Sequence, residues 1–174
     1  MIKPLFKIAV LTWVVSVPAT HAQICNTNMA KTTAEGRFIK DEQGYAIDAT
    51  NKLIWDLCSI GQIYAGGQCV GTPTEFSTWK EALQFAAAKD GYRMPNIKEL
   101  ETIVERSCIE PSIDQDTFPD TPLAIYWSNT PTPSSAALKG HVIDFTDGSE
   151  IVRDVKRPKN LRLIKETLPS DQAK

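Results

Sequence analysis

Short apolar and polar alternations fill the first and last parts of the chain, and helical spacing lies between them. Arg37-Phe38-Ile39-Lys40, Tyr45-Ala46-Ile47-Asp48 and Leu53-Ile54-Trp55 are brief runs rich in β-branched and aromatic residues, separated by Asp41-Glu42-Gln43-Gly44 and Thr50-Asn51. Such runs between turn-forming residues predict a strand meander or hairpin. Thr78-Trp79-Lys80-Glu81 then offers the hydroxyl and carboxylate of a capping box, and Trp79, Ala82, Leu83 and Ala86 recur at helical spacing before Gly91, a left-handed stop. A second helix starts at Asn96, after Pro95 and with Glu99 three residues on, and Leu100, Ile103 and Val104 form its apolar face. Helices this short are not stable alone in water, so both faces read as core.

Prolines 111, 119, 122, 131 and 133 then predict long loops around a short strand at Ile125-Tyr126-Trp127. Strands return at Val142-Ile143-Asp144-Phe145 and Ile151-Val152-Arg153, with an Asp147-Gly148 hairpin turn between them. In the last run, Leu161-Arg162-Leu163-Ile164, alternation sets Arg162 on an outward face opposite Leu161 and Leu163. Strands, two helices, loops and strands again predict an α+β fold, with an antiparallel sheet and the helices on one side.

The first 22 residues follow another pattern. Lys3 and Lys7 precede an apolar run over residues 8–17, and Pro18-Ala19-Thr20-His21-Ala22 brings small residues before Gln23. That is the order of a secretory signal peptide, with an apolar run shorter than the ~20 residues of a bilayer span. Ile24 stands before Cys25 where a lipoprotein signal takes a small residue, so a lipid anchor is not expected. The expected organisation is a signal peptide over 1–22, an arm over 23–36, a folded domain over 37–165 and a flexible tail over 166–174. The chain is read as exported, periplasmic or extracellular, without a membrane span.

Export changes the meaning of Cys25, Cys58, Cys69 and Cys108, because an even set of thiols in an oxidising compartment pairs. Three connectivities are open. The favoured one joins Cys58 to Cys69 across a loop holding Gly61, Gly66 and Gly67, and Cys25 to Cys108, tying the arm to the body. No Cys-x-x-Cys pair is present, which argues against zinc.

The net charge of −2 becomes −4 once residues 1–22, with Lys3 and Lys7 and no acid, are removed. A mildly acidic chain is a poor nucleic-acid partner. His141 is the single histidine beyond the signal, read as a half-exposed strand residue rather than a catalytic base. Asp114, Asp116, Asp120, Asp144 and Asp147 are the kind of loop carboxylates that make a glycosidase pair or a calcium site, but their spacing matches neither and they read as turn residues. No enzyme, cofactor or metal is therefore expected. The unusual charge feature is Arg153, Lys156, Arg157, Lys159, Arg162 and Lys165, offset by Asp154. Such a field suits sulfate or carboxylate groups, with arginine forks giving paired contacts. As surface charges, Arg157, Lys159 and Arg162 are expected to be removable with folding nearly intact.

Several segments also follow one another in a familiar order. Gly44-Tyr45-Ala46-Ile47-Asp48, Cys58-Ser59-Ile60-Gly61-Gln62, Gly66-Gly67-Gln68-Cys69-Val70-Gly71, Trp79-Lys80-Glu81-Ala82-Leu83, Arg93-Met94-Pro95-Asn96, Tyr126-Trp127-Ser128 and Asp144-Phe145-Thr146-Asp147-Gly148 resemble the bacterial Lcl C-terminal domain family. Where members usually show Trp-Arg-Leu-Pro-Asn, this chain has Tyr92-Arg93-Met94-Pro95-Asn96 and keeps an aromatic. The resemblance implies a C-type-lectin-like fold, a secreted or surface location and, from the collagen-like adhesin that names the family, binding of sulfated glycans. The collagen repeats of that adhesin are absent here, so its trimeric adhesion is not implied. The reading is an exported, non-catalytic recognition module for glycans or another surface polymer, with Arg153, Lys156, Arg157, Lys159, Arg162 and Trp127 as ligand contacts. The alternative is an envelope structural or assembly protein whose partner is another protein.

Overall fold

Turn chemistry organises the first half of the chain. In the computed structural model, which describes residues 22–133 and 137–166, β1 (Ile24–Cys25) is followed by the meander β2 (Phe38–Lys40), β3 (Tyr45–Asp48) and β4 (Leu53–Asp56). The expected signal peptide, except Ala22, and the expected tail, except Glu166, lie outside the described residues. Asp41 accepts the amides of Gln43 and Tyr45 at the first turn, and Asp48 those of Thr50 and Asn51 at the second. A small hairpin, β5 (Ile63–Ala65) and β6 (Gln68–Val70), comes next, and the Cys58–Cys69 disulfide ties it to the meander.

Helix α1 (Trp79–Ala88) starts at Thr78, whose hydroxyl accepts the Glu81 amide. The Glu81 carboxylate reaches back to the amide of Ser77, one residue beyond the reciprocal partner a capping box would give it. After β7 (Tyr92–Arg93), helix α2 (Ile97–Glu101) carries both halves of the Asn96/Glu99 box. It is regular only to Glu101; Ile103 and Val104 complete the buried face from the turn that follows. Strand β8 (Cys108–Ile109) pairs with β1, so the Cys25–Cys108 disulfide crosses directly opposed residues.

The C-terminal part departs most from the local pattern. Strand β9 (Ile125–Thr132) runs through Pro131, which a ladder tolerates because β9 is the edge of the sheet ordered β11-β10-β9. Strands β10 (Lys139–Asp144) and β11 (Ser149–Asp154) are joined by four residues, so Phe145 leaves the ladder and packs in the core. Gly148 in that turn has φ +76°, and a Cβ there would strike Ser112 and Val104. The chain returns as β12 (Ile164–Lys165) between β4 and β7, completing a five-stranded antiparallel sheet ordered β2-β3-β4-β12-β7. The described residues form an α+β fold, with antiparallel pairing between the strands, two helices and two disulfides, and the pairing favoured from the sequence is the one found.

The segment over residues 159–164 decides how the two larger sheets meet. Asn160 exchanges backbone hydrogen bonds with Ile125 and Trp127, and Lys159 does so with Phe76. Leu161 and Leu163 then pack with Trp79, Ala82, Trp127 and Val142, whereas Ile164 joins Trp55, Leu100, Phe118 and Tyr126 on the other side. A strand between two cores is buried on both faces, and alternation no longer distinguishes inside from outside.

Candidate functional site

The basic stretch divides into exposed and buried members. Arg153 at the end of β11 and Lys156 and Arg157 in the next turn are exposed, around a backbone held by Asp154, which accepts the Lys156 amide at 2.7 Å. Lys159 is 3 % exposed. Its ammonium donates to the carbonyls of Asp154 and Arg157 and stands over the ring of Trp127, which is itself fully buried in β9. Burial lowers the Lys159 pKa, Asp154 opposes the shift, and Arg153 and Arg157 add to it, giving about 8. Arg153 and Arg157 thus lie close enough to Lys159 to disfavour its charge, behind the larger effect of burial.

Arg162 is fully buried, not outward. Its guanidinium donates to the carbonyls of Asp56 and Leu57 and to the Thr121 hydroxyl, and lies 5.0 Å from the centre of the Phe118 ring. Lys159, Arg162 and Trp127 are therefore interior supports, and the expected ligand contacts reduce to Arg153, Lys156 and Arg157. The corrections share one cause: the run over residues 159–164 is covered on both faces, and it in turn covers Trp127 in β9.

Three of the loop aspartates hold local turns, and Asp120 links its loop to β6. Asp114 accepts the Thr117 hydroxyl, Asp120 the Cys69 amide, Asp144 the Thr146 amide and Asp147 the Ser149 amide, while Asp116 lines an open hollow beside Asp114. Among the described residues no three His, Cys, Asp or Glu side chains gather to hold a metal ion. His141 pairs with Glu150 at 2.6 Å across the β10–β11 hairpin.

A second feature was not legible in the sequence. On the sheet face turned away from Trp55 and Ile164, the register sets Tyr45 opposite Asp56 and Tyr92 opposite Lys165. With Gln43, Tyr64, Phe85 and Lys89, the residues Tyr45, Asp56 and Tyr92 line a cleft of about 320 Å³. Gly61 closes one wall with φ +95°, where a Cβ would fall 2.6 Å from the carbonyl of Thr72. The Tyr45 and Tyr92 hydroxyls are 2.6 Å apart, and the Lys165 ammonium donates to Tyr45 at 3.2 Å. Lys89 stands 4.3 Å from the centre of the Tyr92 ring. Burial raises Asp56, while Lys89, Arg162 and Lys165 draw it back, leaving a pKa of about 6. Tyr92 is pushed well above the ordinary phenol range by burial, then by its bond to Tyr45 and the charge of Asp56. These groups come from β3, β4, β7, β12 and the end of α1, so no local spacing joins them.

The family model of the Lcl C-terminal domain matches residues 44–165. The chain belongs to the Lcl C-terminal domain family. The matched span of this Lcl C-terminal domain includes Tyr45 and Lys165, near its two ends, the cationic turn, and the cleft except for Gln43. Cys25 lies outside it, so one disulfide ties an N-terminal arm onto the family domain. No curated protein matches the chain. The two disulfides indicate an oxidising, exported environment. No helix among the described residues is long and apolar enough to cross a membrane.

Proposed function

We propose that this protein is an exported, non-catalytic recognition module that holds an anionic surface polymer, a sulfated or carboxylated glycan, on the turn bearing Arg153, Lys156 and Arg157. The observation that carries the reading is the grouping of three exposed cations on one turn, two of which, Arg153 and Arg157, add to the lowering that burial imposes on the neighbouring Lys159. An extended polyanion meets such a field without a deep pocket, and arginine forks favour paired sulfate or carboxylate oxygens. The engagement of His141 with Glu150, and of the loop aspartates with turn amides and hydroxyls, supports a binding rather than a catalytic role. A C-type-lectin-like architecture is part of the same proposal: long loops lie between the helices and the last sheet, and β12 brings the end of the domain beside β4 near its beginning.

The test is retention on a heparin column of the mature, oxidised protein and of the triple variant Arg153→Gln, Lys156→Gln, Arg157→Gln. The expected result is earlier elution of the variant in a salt gradient at an unchanged melting temperature, since screening weakens exposed charges over the ~8 Å Debye length of physiological buffer. Equal elution would overturn the assignment. A second reading, a protein partner, is favoured by two exposed cross-strand apolar pairs, Ile63 with Val70 and Ile24 with Ile109. Co-purification lost on substituting those four residues with serine would support it.

A further inference from the structure

The cleft beside Tyr45 has its own unmet chemistry. The Asp56 carboxylate receives no hydrogen bond from the described residues, although Tyr45, Tyr92 and Lys89 share its cleft. The tyrosine pair is also incomplete. Two phenol protons serve one bond between the hydroxyls, and the Lys165 bond uses a lysine proton, so among the described residues one phenol proton has no acceptor whichever tyrosine donates. A ligand that fits must bring donors to Asp56 and acceptors to the tyrosine pair and Lys89. It must also bring an apolar face, because Tyr64 and the 39 % exposed Phe85 stand at the rim.

We propose that this cleft is a binding site for a single acidic sugar unit of the hexuronate type, with ring hydroxyls on Asp56, the sugar carboxylate against Lys89, and the C–H face of the ring on Tyr64 and Phe85. Charge selects this class over an amine or amino acid. Lys89, Arg162 and Lys165 already act on Asp56 together, so a further cation there is disfavoured, whereas hydroxyls donate without adding charge. Two lysines against one carboxylate at the cleft also leave an excess positive charge for the ligand to meet. A volume of about 320 Å³ is at the small end of ligand sites and suits one ring rather than a chain. An acid kept partly buried without a hydrogen-bond partner costs stability, and such costs concentrate at binding sites.

The cleft and the cationic turn are different places. The amide of Trp79 at the start of α1 bonds the Val155 carbonyl, in the turn, and Lys89 follows its last residue. Ten helical residues separate them by about 15 Å. The cleft proposal rests on the preceding reading only in taking a saccharide as partner, and the two fail separately.

The experiment follows amide and side-chain NMR shifts of the mature, oxidised protein during titration with a trimer of galacturonic acid and with a neutral galactose trimer. Expected are shifts around Tyr45, Asp56, Gly61 and Tyr92 with the acidic trimer, and affinity about tenfold lower for Asp56→Asn and for the exposed Lys89→Gln. The Lys89→Gln loss should be absent for the neutral trimer. In the triple variant of Arg153, Lys156 and Arg157 the shifts around Tyr45, Asp56, Gly61 and Tyr92 should persist with the acidic trimer, even where heparin retention falls. Shifts confined to the cationic turn, tighter binding of glycine or lysine than of the acidic trimer, or unchanged affinity in Lys89→Gln would overturn the proposal.

Discussion

The Lys159 ammonium lies 3.8 Å from the centre of the Trp127 indole ring, with only 3 % of the lysine exposed. The pair closes the seam between the turn over residues 154–158 and the inner face of β9. Cation and ring attract electrostatically, and two carbonyls take lysine protons, which offsets part of the cost of removing the charge from water.

That balance has a pH signature. The folded-state pKa of Lys159, about 8, is below its ordinary 10.5, so between these values the unfolded chain binds more protons and stability from this group rises with pH. Lys159→Met should change stability at pH 7 by no more than about 1 kcal/mol. Compared with wild type across pH 8 to 10, it should lack the alkaline gain. Denaturant unfolding of both proteins over that range checks this, and parallel pH profiles would contradict it.

Arg162 should behave differently. Arg162→Gln withdraws donors from the carbonyls of Asp56 and Leu57 and the Thr121 hydroxyl inside the core, at a cost of roughly 3 kcal/mol or more. The expectation that Arg157, Lys159 and Arg162 can be neutralised together without harm therefore fails at Arg162. Thermal melts of Arg162→Gln and Arg157→Gln separate the two, with Arg157→Gln expected to fall within about 0.5 kcal/mol of wild type.

Asp56 predicts a stabilising loss. Its pKa of about 6 exceeds the ordinary 3.8, so the folded chain holds the proton in that interval and stability falls as pH rises from about 4 to about 6. The groups facing it are Lys89 just after α1, Arg162 and Lys165 from the last strand region, and Tyr45 and Tyr92 from β3 and β7. Asp56→Asn should raise stability at pH 7 by roughly 2 kcal/mol and leave it little changed at pH 4. A variant less stable than wild type at pH 7 would show that the ionised carboxylate supports the fold.

Glu105 has the opposite sign. Burial would raise it, but the Ser107 hydroxyl and the amides of Thr33, Ser107 and Thr32 bring its pKa down to about 2. Its stabilisation is full above the ordinary 4.5 and is lost as pH falls from there through about 2. Glu105→Gln should cost roughly 3 kcal/mol at pH 7 and release the arm, read as faster amide exchange at Thr32 and Thr33.

Most of the local plan was present in neighbouring residues. Asp41-Glu42-Gln43-Gly44 made its turn, Asn96 and Glu99 formed their capping box, and the four cysteines paired in the favoured one of three open connectivities. These outcomes depend on groups within a few positions, or on the parity of a set, and a sequence states both directly. The exposure of Lys159 and Arg162 and the length of β9 were not so determined, because each depends on what covers a strand from the far side. The cleft lay further beyond reach. Tyr45 meets Asp56 through the β3–β4 register, and Tyr92 meets Lys165 only because the end of the domain inserts between β4 and β7. One residue of slip in either pairing would turn these side chains into the core, and only the packed sheet, by burying Trp55 and Ile164 on its other face, holds the register that brings them together.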